Sequence, residues 1–156
     1  YSIKGLQVSN ALGEALSIPN AGNLNGFDKY TVMLDCVLTA GTTGWLAMLN
    51  SGSAGVGQGF YQNVNGVHYT YSEGGVQKAI LLAPNSLLTG VATKLAITYD
   101  GTTLIGYVQG IEVGRVTVAI NNIDGVNITF GNNANAYYNS IRTWAINLTS
   151  RQISGT

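Results

Sequence analysis

The chain has 156 residues, and only 9% of them are charged, with seven Lys or Arg balanced by seven Asp or Glu. Because 46% of the residues are apolar, the composition excludes a disordered chain, and one domain spanning residues 1–156 is expected at this length. The zero net charge and the absence of a Lys/Arg cluster argue against nucleic acid as a partner. The longest apolar run, Ala79–Ala83, is far too short for insertion into a membrane.

Twelve short segments rich in Val, Ile, Thr and Tyr, bounded by Gly, Asn or Asp, predict β-strands. In chain order they are Ile3–Val8, Ala15–Ile18, Tyr30–Leu38, Gly44–Leu49, Gly59–Val64, Val67–Ser72, Gln77–Leu82, Lys94–Tyr99, Thr103–Gln109, Ile111–Val118, Asn127–Phe130 and Ser140–Asn147.

The connections between these strands carry turn signals. Asn65-Gly66 predicts a type I′ hairpin between the strands on either side, and Asp100-Gly101 and Gln109-Gly110 predict two tight connections of an antiparallel meander. Near the end, Leu148–Ile153 predicts one short helical turn with Thr149 as its N-cap. Together these elements predict an all-β fold, an antiparallel two-sheet sandwich of jelly-roll type with one short C-terminal helical turn.

The acidic residues argue against hydrolytic chemistry. A retaining glycosidase needs two carboxyl groups about 5–5.5 Å apart, which residues i and i+2 on one strand face can supply. Glu14, Glu73 and Glu112 each stand alone, and the nearest acidic pair, Asp28 and Asp35, is seven residues apart. We therefore predict that the chain is not an enzyme, and a divergent glucanase with carboxylates from distant strands is the alternative.

A single histidine, His68, and a single cysteine, Cys36, leave no nucleophilic triad and no zinc ligand set. Cys36 lies within an apolar strand pattern, which predicts a buried thiol.

Two parts of the chain resemble a known family. The run Lys94–Gly101 (KLAITYDG), followed by Leu104–Gly110 (LIGYVQG), resembles the central meander of laminin G-like domains in the concanavalin A-like lectin/glucanase superfamily. The stretches Ser140–Ile146 and Leu148–Ile153 are similar to the closing strand and helical turn of that family. The similarity covers residues 27–154 and is strongest to lectin-like domains of bacteriophage tail and tail-fibre proteins.

The resemblance implies a sandwich that binds glycan in an oligomeric virion or surface protein, with an extracellular or virion-surface location. The Glu-x-Asp-x-x-Glu pattern of the enzymatic branch is absent. Laminin G-like domains often hold calcium, but Asp100 and Asp124 precede glycines, where turn geometry alone explains them. We predict no metal and no other cofactor, with calcium as the alternative.

A sugar-binding site combines an aromatic surface with hydrogen-bonding side chains, and two segments supply both. They are the hairpin Tyr61–Tyr71 and the loop Asn132–Asn139. Tyr61 and Asn63 share one strand face because successive residues alternate faces. The candidate ligand-binding residues are Trp45, Tyr61, Asn63, His68, Asn133, Asn135, Tyr137 and Tyr138.

Some aromatic residues also fit structural roles. Tyr69 and Tyr71 fit core or cross-strand packing, Trp45 fits the core or the rim of a site, and Trp144 fits packing. The favoured function is a non-catalytic carbohydrate-binding domain of a phage tail or similar surface protein. The alternative is a structural or assembly module that packs against copies of itself as a homo-oligomer.

Overall fold

The computed structural model describes residues 2–8, 16–19, 28–38, 43–50, 57–84, 90–120, 127–132 and 136–156. These residues form twelve strands and one helix, and all lie close to their predicted positions except the last strand, which begins at Ala136, four residues before the predicted Ser140, and ends at Trp144. They are β1 Ser2–Val8, β2 Leu16–Pro19, β3 Tyr30–Leu38, β4 Gly44–Asn50, β5 Gln58–Asn63, β6 Gly66–Glu73, β7 Val76–Ala83, β8 Ala92–Tyr99, β9 Thr103–Val108, β10 Ile111–Thr117, β11 Asn127–Asn132, β12 Ala136–Trp144 and α1 Ser150–Ser154.

The strands form two six-stranded sheets in which every pair is antiparallel. Sheet 1 has the order β1-β12-β3-β8-β9-β10, and sheet 2 has the order β2-β11-β4-β5-β6-β7. The meander β8-β9-β10 and the meander β4-β5-β6-β7 consist of neighbours in sequence, and connections of two or three residues join β5 to β6, β6 to β7, β8 to β9 and β9 to β10. The predicted antiparallel two-sheet sandwich is confirmed.

The main hydrophobic core lies between the sheets because alternate residues of each strand point inwards. On β3 these include Tyr30, Leu34 and Cys36, and on β6 they include Tyr69 and Tyr71. Full burial of one large apolar side chain contributes about 1.5–3 kcal/mol, so this alternation determines which strand faces turn inwards. The packing roles predicted for Tyr69, Tyr71 and Cys36 are confirmed. Burial, followed by the nearby Asp35, raises the pKa of the Cys36 thiol to about 12.

Two hydrogen bonds made by buried tyrosine hydroxyls link the sheets across this core. The hydroxyls of Tyr30 on β3 and Tyr69 on β6 lie 3.0 Å apart. Tyr138 on β12 donates a hydrogen bond to the carbonyl oxygen of Leu46 on β4. A hydroxyl buried without a partner costs free energy, so each pair favours one relative placement of the two sheets.

The outer face of sheet 1 carries a second, smaller core under the C-terminal segment. Met33, Ala96 and Tyr107 of the sheet pack against Leu148 and Ile153. Trp144 packs against the same cluster, which confirms its predicted packing role. One outer face of the sandwich is therefore partly covered by the end of the chain.

The start of α1 has the predicted cap. Thr149 Oγ1 accepts a hydrogen bond from the Gln152 backbone N–H at 3.3 Å, and Gln152 Oε1 accepts one from the Thr149 N–H at 2.9 Å. This reciprocal capping box satisfies two backbone donors that a helix start otherwise leaves unpaired.

One predicted turn is wrong in detail. The β5–β6 hairpin turns at Val64-Asn65, and neither residue has a positive φ, so the turn is not the type I′ turn predicted for Asn65-Gly66. Asn63 Oδ1 instead accepts hydrogen bonds from the backbone N–H groups of Asn65, at 2.8 Å, and Gly66, at 3.2 Å. The Asn63 side chain thus stabilises this turn, in place of the type I′ backbone conformation expected for Asn65-Gly66.

The tight connection predicted at Gln109-Gly110 is confirmed, and it has the φ values of a type I′ turn, 53° and 79°. The connection at Asp100-Gly101 is also confirmed. Asp100 Oδ1 accepts hydrogen bonds from the backbone N–H groups of Thr102, at 2.9 Å, and Thr103, at 2.7 Å.

Candidate functional site

The outward face of sheet 2 carries an open depression of about 540 Å³, which we call the sheet 2 depression. Four adjacent strands, β4 to β7, contribute its lining. The lining residues are Trp45, Tyr61, Asn63, His68, Thr70, Gln77, Lys78 and Ala79. Their side chains alternate along β5 and β6 with the inward residues of the main core, so the alternation that builds the core also assembles this surface.

Two aromatic rings form one wall of the depression. Trp45 on β4 and Tyr61 on β5 are register partners, and their ring centroids lie 5.2 Å apart at an interplanar angle of 68°. This edge-to-face arrangement is one of the two geometries that aromatic pairs prefer, and it stabilises a pair by about 0.5–1.5 kcal/mol. Both rings are partly exposed, so they offer a fixed apolar surface to a ligand.

Polar side chains continue from this wall across β5 and β6. His68 lies opposite Tyr61 in the strand register, and its Nδ1 is buried without a hydrogen-bond partner among the described residues. Asn63 contributes an amide whose orientation is fixed by its bonds to the hairpin turn. An imidazole and an amide therefore border the aromatic wall, and both side-chain types can donate and accept hydrogen bonds.

On β6 and β7, two side chains of the depression donate hydrogen bonds to the same backbone carbonyl. Thr70 Oγ1 donates a hydrogen bond to the Gly57 carbonyl at 3.1 Å, and Gln77 Nε2 donates to the same oxygen at 3.1 Å. These bonds connect the start of β5 to β6 and β7, and they fix the orientation of the Gln77 side-chain amide. The polar groups on this side are thus positioned before any ligand arrives.

Lys78 borders the depression on β7, but its side chain lies on the inward face of sheet 2, because Lys78 is the register partner of the inward Tyr71 and alternates with Ile80 of the main core. Its ammonium group forms an ion pair and hydrogen bond with Glu73, across the Gly74-Gly75 turn that joins β6 to β7. The hydrogen bond to Glu73, followed by the charge of Glu73, raises the pKa of Lys78. This ion pair therefore lies on the opposite face of the sheet from Tyr61 and His68.

The structure brings together four of the eight candidate ligand-binding residues, Trp45, Tyr61, Asn63 and His68. The other four belonged to the loop predicted at residues 132–139, but β12 begins at Ala136 and includes much of that segment. Asn133 and Asn135 lie outside the described residues.

The two adjacent tyrosines of that segment separate because neighbouring strand residues point to opposite faces. Tyr137 is exposed on the outward face of sheet 1, away from the sheet 2 depression. Tyr138 is only 1% exposed and its hydroxyl is bonded to Leu46. The prediction of ligand contact for Tyr138 is wrong, since the main core encloses its ring.

Sequence reasoning missed Thr70, Gln77, Lys78 and Ala79. A signal existed for Thr70, which follows His68 by two residues and so shares its strand face. The β7 residues could have been placed beside it from the Gly74-Gly75 pair, whose composition is typical of a two-residue hairpin.

Within the described ranges, no group of three or more His, Cys, Asp or Glu is placed to hold a metal ion. The choice between no metal and calcium stays a prediction. The part of the chain that the structure describes contains no helix long and apolar enough to cross a membrane.

No family model and no curated protein matches the sequence, but solved structures share its fold. NanB, a sialidase from Streptococcus pneumoniae, matches with a TM-score of 0.81 and 20% identity, over 100% of this chain and 27% of the NanB chain. The CBM40 of the Ruminococcus gnavus IT-sialidase matches with a TM-score of 0.74 and 12% identity, over 99% and 97% of the two chains. The binding domain of botulinum neurotoxin serotype G matches with a TM-score of 0.74 and 9% identity, over 99% and 44%.

These neighbours share the two-sheet β-sandwich fold expected from the sequence. The chain spans about a quarter of the NanB chain, at 27%, and nearly all of the CBM40 domain, at 97%. The likeness to laminin G-like domains and to phage tail proteins stays a prediction.

Proposed function

We propose that this chain is a non-catalytic glycan-binding domain and that its site is the sheet 2 depression. One observation carries the proposal: the Trp45–Tyr61 pair adjoins outward imidazole, amide and hydroxyl groups on contiguous strands. A sugar presents an apolar C–H face beside its hydroxyl groups, and this surface offers a partner for each. Among the structural neighbours, the R. gnavus CBM40 is described as bound to α2,3 and α2,6 sialyllactose.

The described lining of the depression contains no acidic side chain, and this favours binding over hydrolysis. A glycosidase of the common type uses a pair of Asp or Glu side chains on either side of the scissile bond. None of the residues that line the depression is acidic, and Glu73, the acidic residue of β6, lies on the inward face of the sheet with Tyr71. The described residues of this surface therefore lack the two carboxyl groups that the reaction requires.

The open shape of the depression sets the expected affinity. Ligands of moderate size gain about 0.3 kcal/mol per heavy atom, which for a disaccharide of roughly 23 heavy atoms gives about 7 kcal/mol, or a dissociation constant of about 10 µM at best. Display of several copies on one particle raises the effective affinity by avidity. This behaviour suits an adhesion domain of an extracellular or virion-surface protein, such as a phage tail, and we include that setting in the proposal.

A glycan array followed by calorimetric titration tests this function. We expect saturable binding of at least one glycan by the intact domain, with a dissociation constant between about 10 µM and 1 mM. If the folded domain binds nothing on the array, and multivalent display on beads also gives no adsorption to cells, the proposal is wrong.

A second candidate function, an assembly module, is favoured by the edge strands β7 and β10. Their exposed apolar side chains are Val76, Leu81, Ile111 and Val113, and unpaired apolar edges promote association between copies. Solution mass and adsorption separate the two functions. A stable oligomer whose adsorption is the same in the Tyr61→Ala variant would favour assembly over glycan binding.

A further inference from the structure

We propose that the sheet 2 depression binds an extended glycan chain of about three sugars that lies across the strands, and that Leu81 is a further contact residue at the β7 end of this site. The inference rests on the proposed glycan-binding function and specifies the substrate class of the same site, which is an oligosaccharide chain and not a single terminal sugar.

The register of four adjacent strands is the first step. Trp45 on β4 pairs with Tyr61 on β5, and Tyr61 pairs in turn with His68 on β6. His68 pairs with Leu81 on the edge strand β7. Directly opposed residues of an antiparallel pair share one face of the sheet. These four outward side chains therefore form one continuous line across the strands, which we call the transverse row.

The surroundings of Leu81 leave its side chain free to contact a ligand. Leu81 is 47% exposed, whereas the next residue, Leu82, belongs to the main core and is only 4% exposed. A Cβ atom at Gly66 on β6 would lie 3.0 Å from Leu81 Cδ1. The missing side chain of Gly66 thus gives Leu81 room beside His68, where it adds an apolar surface at the β7 end of the transverse row.

Small residues beside the transverse row form a floor on which a chain can lie. The neighbouring register line consists of Gly59 on β5, Thr70 on β6 and Ala79 on β7. Gly59 has no side chain above the sheet, and Ala79 has only a methyl group. Gln77, whose amide is fixed by its hydrogen bond to the Gly57 carbonyl, borders this floor on the other side. The larger side chains of the transverse row therefore stand as a wall beside a shallow groove.

The length of the transverse row sets the number of sugars that the groove accommodates. Neighbouring strands lie about 4.8 Å apart, so the three spacings from β4 to β7 span about 14 Å. A single hexose ring is shorter than this span, and a chain of about three linked sugars matches it. Each ring added along the row brings its own C–H face and hydroxyl groups against the protein. Affinity should therefore rise with chain length until the chain passes Leu81.

Calorimetric titration with a series of one to four sugars, built on an array-selected glycan, tests the proposal. We expect the affinity of the wild-type domain to rise by at least about tenfold from one sugar to three. From three sugars to four we expect a change of less than about twofold, because the fourth ring lies beyond the transverse row.

One matched pair of variants tests the role of Leu81. Leu81→Ala should weaken trisaccharide binding by about fivefold, through the loss of apolar contact area. It should leave monosaccharide binding unchanged, because one sugar fits beside Trp45 and Tyr61. Ile111→Ala is the control, since Ile111 is also an exposed aliphatic residue of an edge strand, but on β10 of sheet 1. This variant should bind both ligands like wild type, and a thermal melt confirms that each variant is folded.

The outcomes distinguish this proposal from the function on which it rests. If no glycan of any length binds, glycan binding itself is wrong, and the extended site falls with it. If the monosaccharide binds as tightly as the trisaccharide, glycan binding stands and the extended site is overturned. Equal trisaccharide affinity in wild type and Leu81→Ala, or an equal loss for both ligand lengths, would overturn the role of Leu81.

Discussion

Two tyrosines on opposite sheets allow the position of the ligand to be tested by one matched pair of substitutions. Tyr61 lies on β5 in the sheet 2 depression, and Tyr137 lies on β12, exposed on the outward face of sheet 1. We predict that Tyr61→Ala weakens glycan binding and that Tyr137→Ala leaves it unchanged. The two variants remove the same ring from a partly exposed strand position, so they differ mainly in the surface that they alter.

The expected loss for Tyr61→Ala follows from two contributions. Loss of a central aromatic contact typically costs more than 1 kcal/mol of binding free energy. The Tyr61 ring also supports Trp45 through the contact at 5.2 Å, and such a pair is worth about 0.5–1.5 kcal/mol. A combined loss of about 2 kcal/mol corresponds to a dissociation constant about 30-fold higher.

Isothermal titration with an array-selected glycan measures this loss, and circular dichroism with a thermal melt verifies the fold. The Tyr61→Phe variant keeps the ring and should bind within about threefold of wild type. The opposite pattern, in which Tyr137→Ala weakens binding and Tyr61→Ala does not, would place the ligand on sheet 1 and refute the assignment of the site.

Three further predictions concern stability, all measured by urea unfolding. Tyr30→Phe and Tyr69→Phe should each cost about 1–3 kcal/mol because each leaves a buried hydroxyl without its partner, while the double variant should cost less than their sum; additive costs would contradict this. Ile153→Ala should cost about 2–5 kcal/mol because its side chain is fully buried under sheet 1, and an unchanged midpoint would count against that packing. Backbone N–H groups, that of Thr103 foremost, lower the pKa of Asp100. The stabilisation from Asp100 is therefore present above its unfolded pKa of about 3.9 and lost as the pH falls through its lower folded value. Asp100→Asn should flatten the acid side of the stability profile, and coincident slopes would refute it.

Strand positions could be predicted because the chain is punctuated by turn residues and its strands are rich in β-branched and aromatic side chains. The segment Tyr30–Leu38 shows this most clearly, since its predicted and observed bounds coincide. The short C-terminal helix was also predictable, because Thr149 and Gln152 have the spacing of a capping box.

The β5–β6 turn could not be predicted, because Gly66 is required by a distant contact. A Cβ atom at Gly66 would lie 2.2 Å from the carbonyl oxygen of Ala83 at the end of β7. The glycine therefore permits close approach of another strand, at a φ of 148°, and does not form the turn itself. The sequence pair Asn65-Gly66 therefore does not distinguish a type I′ turn from a glycine that is required by close packing.

The candidate site was half predictable for a similar reason. Alternation along β5 places Tyr61 and Asn63 on one face, which the sequence shows directly. Which of the adjacent Tyr137 and Tyr138 enters the core depends on the face that β12 turns towards sheet 2. The addition of Gln77 to the site depends on the order of strands in the sheet, and that order follows from packing across the whole domain.

Glycan binding on the outward face of sheet 2 is tested most directly by nuclear magnetic resonance, with assigned, isotope-labelled protein titrated with an array-selected glycan. We predict that the largest chemical shift changes occur at the Trp45 indole and at Tyr61, His68 and Thr70, and that the signals around Tyr137 stay unchanged. Changes confined to sheet 1, with sheet 2 signals constant at saturating glycan, would contradict this location of the site.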